Sequence, residues 1–305
     1  MPALAASPGG TIVSVASRDP GAGWELAARF GAKRHYDEYQ RVLDDPDVEA
    51  VYIPLPNCLH HEWTLRAAAA GKHVLCEKPL ATDATTARAM AEACAKTGVV
   101  LMEAYVSPFH PRLAALTRFI DRDGLGEFRG GWAAFTFRLS DPGNHRWRPE
   151  MGGGALADVG VYCLSPLLRA AGREPVAVAA AATLAPSGVD ASFSGWLDFG
   201  GGATASFLAS FEAPECQQLE MVGTVAAASV TGAFAAGAHG SLVTLTANDG
   251  RRHTPEADAD ADPYRLMVEH FEAVVRGAAK LQQKPSASIA VIEVMDRLRA
   301  AVVTR

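Results

Sequence analysis

The chain has no apolar run approaching the ~20 residues that a membrane-spanning helix requires. It has no Cys-x-x-Cys pair. Cys58, Cys76, Cys94, Cys163 and Cys216 are odd in number and far apart, which argues against a disulfide framework and against a thiolate zinc site. No basic stripe stands out, and a formal charge of −6 argues against a nucleic-acid partner. Met1-Pro-Ala-Leu-Ala-Ala6 lacks the basic region and long apolar stretch of a secretory signal, and no internal repeat is present. The expectation is a cytoplasmic protein with reduced thiols, no bound metal and no membrane partner. What is there reads as an ordinary globular chain, 49% hydrophobic and 20% charged, and 305 residues exceed the usual size of one core, so two domains are expected.

Up to residue 105, strand and helix patterns alternate. Residues 11–17, Thr-Ile-Val-Ser-Val-Ala-Ser, are alternating and β-branched, which predicts a strand. Helices are predicted over 24–30, ending at Gly31, and over 38–43. Residues 48–54 are mostly apolar, as in a strand covered on both faces. Helix 59–70, strand 73–76, helix 84–96 and strand 99–103 follow, and such alternation means a parallel sheet with right-handed crossovers. Beyond Tyr105 the pattern changes. A helix over 111–121 leads to a long strand over 126–140, and Gly152-Gly153-Gly154 opens a helix over 155–171. Strand-like runs at 176–183, 191–199, 203–211, 216–222 and 241–247 imply an antiparallel, half-covered sheet, closed by helices at 264–277 and 286–303. The alanine-rich run 226–240 reads as a packed small-residue segment and the acidic run 258–262 as a solvated loop. A calcium loop, the sharper alternative for the acidic run, lacks the glycine and distal glutamate of EF-hand spacing.

Two stretches concentrate the chemistry. Gly71-Lys-His-Val-Leu-Cys-Glu-Lys-Pro-Leu80 runs a buried strand straight into Glu77, Lys78 and Pro79, and the C-terminal end of a parallel strand is where an α/β sheet meets its ligand. Pro79 restrains its own φ and biases Lys78 towards an extended conformation. In Gly154-Ala-Leu-Ala-Asp158-Val-Gly-Val-Tyr162, the aspartate and tyrosine are four apart and share a helix face. Such a pair is ordinarily a surface pair or a core tyrosine. If the second domain lays this helix over the crevice, the Lys78 cation would favour the tyrosinate and make Tyr162 a proton acceptor near neutrality.

These stretches, with Ala50-Val-Tyr-Ile-Pro-Leu-Pro-Asn57-Cys-Leu-His60, Leu101-Met-Glu-Ala-Tyr105, Phe109-His-Pro111, Trp147-Arg148 and Ile289-Ala-Val-Ile-Glu-Val-Met295, resemble the Gfo/Idh/MocA oxidoreductases in family order over nearly the whole chain. The nearest flavour is the branch of NADP-dependent D-xylose dehydrogenases and dimeric dihydrodiol dehydrogenases, in which the Tyr162 position holds tyrosine. The resemblance implies a Rossmann-like domain over 1–105, a substrate-binding and oligomerisation α/β domain with an open, mainly antiparallel sheet over 106–285, and a C-terminal helix over 286–305. It implies a homodimer and an NADP-dependent hydride transfer to or from a sugar or related cyclic alcohol. Lys78 and Tyr162 would handle the proton at the reacting carbon, with Asp158 orienting the substrate. Asn57, His60, Glu77 and Pro79 would line the nicotinamide end, and Pro54, Leu55, Trp147 and Arg148 complete the cofactor set. Arg146 and Arg148 are open between binding a sugar hydroxyl or cofactor phosphate and being surface charges.

At the end of the predicted strand 11–17, Ser17-Arg18 supplies a hydroxyl and a guanidinium. A carboxylate there would bind a ribose 2′-hydroxyl, whereas this pair suits a 2′-phosphate, so NADP is favoured over NAD. The chain departs from the family at its first strand and G-x-G-x-x-G turn, which would need roughly 15–20 residues upstream of Met1. Gly9-Gly10 has no strand before it and is no substitute, and a start placed too late is the expectation. Pro108 also stands where relatives commonly carry an arginine before the phenylalanine. The missing turn favours a non-catalytic ligand-sensing member or a degenerate fragment. The joint presence of Lys78, Asp158 and Tyr162 argues against both, because a sensor needs no acid/base pair. A purely structural interaction protein has only the open sheet face in its favour.

Overall fold

A computed structural model describes residues 1–234, 242–256 and 261–303. Five parallel strands occupy the first third of the chain in two separate sheets. β1 (Ser14–Ala16) pairs with β2 (Arg34–Tyr36), while β3 (Ala50–Ile53), β4 (His73–Cys76) and β5 (Leu101–Glu103) run side by side. Helices α1 (Pro2–Ala6), α2 (Pro20–Phe30), α3 (Tyr39–Asp44), α4 (His60–Ala69) and α5 (Ala84–Thr97) alternate with them. α2 begins at Pro20 rather than Trp24, because the Asp19 carboxylate caps it by accepting from the backbone N–H groups of Gly21 and Ala22.

α6 (Pro111–Asp121) leads into β6 (Phe128–Thr136), and α7 (Val161–Ala171) precedes a run of strands. These are β7 (Ala177–Leu184), β8 (Asp190–Asp198), β9 (Thr204–Ser210), β10 (Cys216–Gly223), β11 (Ala226–Thr231), β12 (Leu242–Ala247) and β13 (Arg252–His253). Helices α8 (Pro263–Val275) and α9 (Pro285–Ala300) and the terminal strand β14 (Val302–Val303) close the chain. Among the described residues one nine-stranded sheet results, in the order β13-β12-β11-β10-β6-β9-β8-β7-β14.

The sheet is mainly antiparallel, as expected, with two parallel pairs, β6 with β9 and β14 with β7. Two details depart from expectation. Part of the alanine-rich run is strand β11, which buries Ala226, Ala228 and Val230 on one face; residues 235–240 of that run lie outside the described residues. The closing helix stops at Ala300, and the next residues join the sheet instead of prolonging it. Of the acidic run, residues 258–260 lie outside the described residues, and Asp262 caps α8 by accepting from Tyr264 N–H. One sequence expectation about membranes also needs correction. Pro149–Ala171 is long and apolar enough to pass for a span, but 67% of its apolar window is buried in the fold, where it serves as a core helix.

The core has two parts that meet at the parallel strands. Val74, Cys76 and Leu101 pack with α4 and α5, whereas Leu75 and Met102 face the larger cluster of α7 and the mixed sheet. α9 joins the two, with Ile292 in the first cluster and Val291, Met295 and Leu298 in the second. This clamp lays α7 and the turn before it over the C-terminal end of β4.

Candidate active site

The site begins where β4 ends. Val74, Leu75 and Cys76 are buried, so the strand direction is set by packing and the polar residues that follow emerge at its end. Glu77 is braced from β3: the Tyr52 hydroxyl donates to its Oε1 at 2.5 Å, and the Lys78 backbone N–H donates to Oε2 at 3.2 Å. The Lys78–Pro79 peptide is cis. Beyond it, Leu80 N–H donates to Glu103 Oε1 at 2.7 Å, and Ser288 on α9 donates its hydroxyl to Glu103 Oε2 at 2.6 Å. The turn carrying Lys78 is thus tied to β3, β5 and α9. Glu103 is buried, so Glu103→Ala leaves the Leu80 N–H without an acceptor and is expected to cost about 1–3 kcal/mol in denaturant unfolding.

Lys78 reaches across to the second constellation. Its Nζ donates to Asp158 Oδ1 at 2.6 Å and to the Asp158 carbonyl at 2.9 Å, while Arg146 Nε donates to Asp158 Oδ2 at 2.6 Å. Burial alone would raise the Asp158 pKa, but the charges and hydrogen bonds of Lys78 and Arg146 outweigh it and hold the carboxyl below its usual range. Asp158 lies in a π-helical turn, Leu156–Gly160, that precedes α7 and replaces the first turns of the expected continuous helix. Asp190 on β8 anchors this turn by accepting from Leu156 N–H at 2.6 Å. Gly154 makes that approach possible: its φ is 115°, and a Cβ there would lie 2.2 Å from Asp190 Oδ1.

Tyr162 sits one helical turn on, 8% exposed, with its ring centroid 5.2 Å from Tyr105 and 5.5 Å from Phe135. Lys78 Nζ lies 5.3 Å from that centroid. Among the described residues the Tyr162 hydroxyl has no hydrogen-bond partner. Its ionisation differs from the sequence expectation. Burial foremost, then Tyr264, Tyr105, Glu77 and Asp158, push its pKa well above the ordinary phenol value. The Lys78 ammonium, ion-paired with Asp158, does not offset the burial. Tyr162 in this state is a phenol, a proton donor rather than an acceptor.

The remaining sequence-predicted residues divide into three groups. Ser17, Pro54 and Leu55 line one 590 Å³ cavity that runs along β1 and β3, and the exposed Arg18 follows Ser17. Asn57 donates to the Gly152 carbonyl at 2.8 Å and Pro79 is buried behind Lys78, so both shape the loops around the crevice. His60 is 0% exposed, its ring nitrogens lie 2.9 Å from the Pro79 carbonyl and 2.8 Å from that of Leu55, and burial lowers its pKa, so it props the turn from behind. Trp147 packs edge-on against Phe211, and Arg148 is exposed.

Sequence reasoning missed Tyr52, Glu103 and Asp190, and left Arg146 open. Glu103 had a usable signal, being an acid at the C-terminal end of a buried parallel strand, like Glu77. Asp190 had none, since its partner Leu156 is 34 residues away in sequence.

The residues present suit NADP at its two ends. A serine hydroxyl and an exposed guanidinium would suit a 2′-phosphate at one, and Glu77, Lys78 and Tyr162 would suit the nicotinamide end at the other. Among the described residues no G-x-G-x-x-G turn lies between them. Residues 1–105 match the model of an oxidoreductase family with an NAD-binding Rossmann fold, and residues 113–229 match the GFO/IDH/MocA C-terminal domain. The D-xylose 1-dehydrogenase (NADP(+)) 2 of Haloferax volcanii is 34% identical over 93% of this chain and 87% of its own length. The trans-1,2-dihydrobenzene-1,2-diol dehydrogenase of Mus musculus is 36% identical over 65% of this chain and 60% of its own. The 3-ketoreductase KijD10 of Actinomadura kijaniata, solved with NADP and TDP-benzene, superimposes with a TM-score of 0.89 at 28% identity, covering 99% of this chain and 93% of that one. The chain therefore belongs to the Gfo/Idh/MocA oxidoreductases.

Proposed function

We propose that this chain is an NADP-dependent oxidoreductase that interconverts a ring hydroxyl and a ketone on a sugar or related cyclic alcohol, with Tyr162 as the proton-transfer group. The observation that carries the reading is the unpartnered Tyr162 hydroxyl on a ring 5.3 Å from Lys78 Nζ, beside the Lys78–Asp158–Arg146 cluster. NADP, when bound, supplies or accepts the hydride. The chain's own residues handle the rest. Tyr162 donates its proton to the ketone oxygen as negative charge develops there, and the Lys78 ammonium stabilises that charge. Asp158 holds Lys78 in place, and Arg146 keeps Asp158 ionised and aimed.

The test is a fluorescence titration with NADPH and with NADH, followed by cyclic-ketone reduction and sugar oxidation assays. NADPH binding tighter than NADH, with turnover of a cyclic polyol or ketone, is the expected result. Absence of turnover with NADPH bound would sink the assignment. Arg18→Glu replaces a phosphate partner by a repelling charge, so the preference should shift towards NADH by about tenfold or more. An unchanged ratio of the two dissociation constants would remove Arg18 from 2′-phosphate recognition.

We also place the enzyme in the cytoplasm as a homodimer, joined through the open face of the mixed sheet. Trp132 and Trp196 are 36% and 42% exposed and align across the sheet through Ser206. A monomer by sedimentation at micromolar concentration would contradict the dimer.

A further inference from the structure

A second cavity, of 230 Å³, lies between α6, α7 and α9. Lys78, Arg146, Asp158 and Tyr162 are not among its lining residues, so it is separate from the proposed reacting groups. Its walls are largely apolar: Leu113 and Leu116 come from α6, Leu168 from α7, Leu219 from β10 and Val291 from α9. α9 also presents Ala287 and Ala290, and these short side chains leave the space open. Polar groups interrupt this lining. Gln283 is 5% exposed, and its side-chain amide makes no hydrogen bond within the described protein. The Ser107 hydroxyl is enclosed without a well-formed hydrogen bond, although it and Ser165 approach the Tyr105 hydroxyl closely enough to temper that group's burial-raised pKa. A buried amide and a buried hydroxyl left unpaired cost free energy that a ligand can recover.

We infer that this cavity is a second ligand site, which takes an uncharged single-ring alcohol or phenol and bears on Tyr162. Volume sets the size: apolar cavities of about 150 Å³ admit a benzene ring, so 230 Å³ holds one ring with a small substituent. The lack of charge follows from Arg169, the one charged side chain among the described lining residues. Its guanidinium is committed to Asp121 through hydrogen bonds of 3.0 and 2.6 Å that bridge α7 to α6, so no free charge is left to hold an anion. A ligand hydroxyl answers the unpaired groups, since it can donate to the Gln283 carbonyl oxygen and accept from the Ser107 hydroxyl. The ring fills the apolar remainder. Contact couples this site to the crevice. Tyr105 and Phe234 line the cavity, and their ring centroids lie 5.2 and 6.1 Å from that of Tyr162. Pro166, also in the lining, has no N–H to give to the Tyr162 carbonyl, so α7 lacks its usual backbone bond at that turn. An occupant therefore presses on the Tyr162 ring through two aromatic neighbours. The inference concerns binding and stands apart from the proposed reaction.

The experiment titrates the whole chain with phenol, cyclohexanol and benzoate, read by amide NMR and by tyrosine ring signals, those of Tyr162 being identified in Tyr162→Phe. Phenol and cyclohexanol should shift amides of α6, α7 and α9 saturably, with dissociation constants of about 0.1–1 mM, the range for ligands this small. Benzoate, a similar ring carrying a charge, should bind about tenfold more weakly or worse. The Tyr162 ring signals should move with phenol occupancy. Ala290→Met fills part of the cavity and should weaken phenol about tenfold or more. Gln283→Leu keeps the side-chain size, removes the amide and should weaken phenol about three- to tenfold. No saturable shift up to about 10 mM, or shifts centred on Lys78 and Asp158 instead of the cavity, overturns the site. Parental affinity in both variants does the same, and if Ala290→Met fails to fold, Gln283→Leu decides alone. Benzoate binding as tightly as phenol overturns the assigned ligand class, and unmoved Tyr162 signals at saturation overturn the coupling. Polyol turnover is measured separately: phenol binding without turnover upholds this site and counts against the proposed function, and turnover without phenol binding does the reverse.

Discussion

Tyr162→Phe lowers kcat roughly 10²–10⁴-fold and leaves NADPH affinity unchanged, the scale expected for removing a positioned proton donor. The substitution deletes one oxygen that has no partner within the described protein, so the packing of Tyr105 and Phe135 around the ring is retained. Stability therefore stays close to that of the parent, and the loss appears in turnover alone. The pH profile of the parent supports the same assignment. Because burial raises the Tyr162 pKa, the phenol persists through the neutral range, and ketone reduction should show no alkaline fall below about pH 10 that traces to this group. Parental turnover in the Tyr162→Phe variant would show that the proton comes from elsewhere, and an alkaline limb near neutrality would show that the tyrosine ionises early.

Lys78→Ala lowers kcat about 10²–10³-fold, by removing the cation that meets the developing alkoxide. Its effect on stability is set by what remains around Asp158. Stripping a buried carboxylate of its sole partner costs about 3–5 kcal/mol, but here Arg146 Nε stays 2.6 Å from Oδ2, so a loss below about 3 kcal/mol is expected. The pH dependence of unfolding separates the two roles. The folded-state pKa of Asp158 lies below its unfolded value, so its ion pairs stabilise the protein above about pH 4, and that stabilisation is lost as pH falls through the folded pKa. Lys78→Ala should shrink this acid-side loss, and Asp158→Asn should abolish its share. Kinetic impairment with an unaltered acid limb would mean that Lys78 does not hold Asp158 in solution.

Local physics made much of the scaffold readable. The bounds of β4 and α6 agree with the sequence patterns, because one is a short, mostly apolar run soon after Gly71 and the other opens on a proline and closes after an amphipathic stretch. Strand–helix alternation announced the parallel sheets for the same reason: a covered parallel strand has to be apolar throughout. Strand β11 escaped notice because alanine carries little strand preference of its own, and its place is set by β10 and β12 on either side. The β6–β9 parallel pairing escaped because pairing partners are chosen by packing across the whole sheet.

The site divides along the same line. By itself the sequence determined which groups are available: Lys78 at the end of a buried strand, and Asp158 and Tyr162 four residues apart. Only the tertiary structure decided what state they are in. Lys78 and Asp158 are 80 positions apart, and their contact exists because α9 clamps the two cores together. That contact commits the lysine to an ion pair, while aromatic rings from other elements surround the tyrosine, so burial prevails over the attraction the sequence had suggested and the phenol keeps its proton. A charge state depends on everything within a few ångströms, and spacing along a chain does not encode those neighbours.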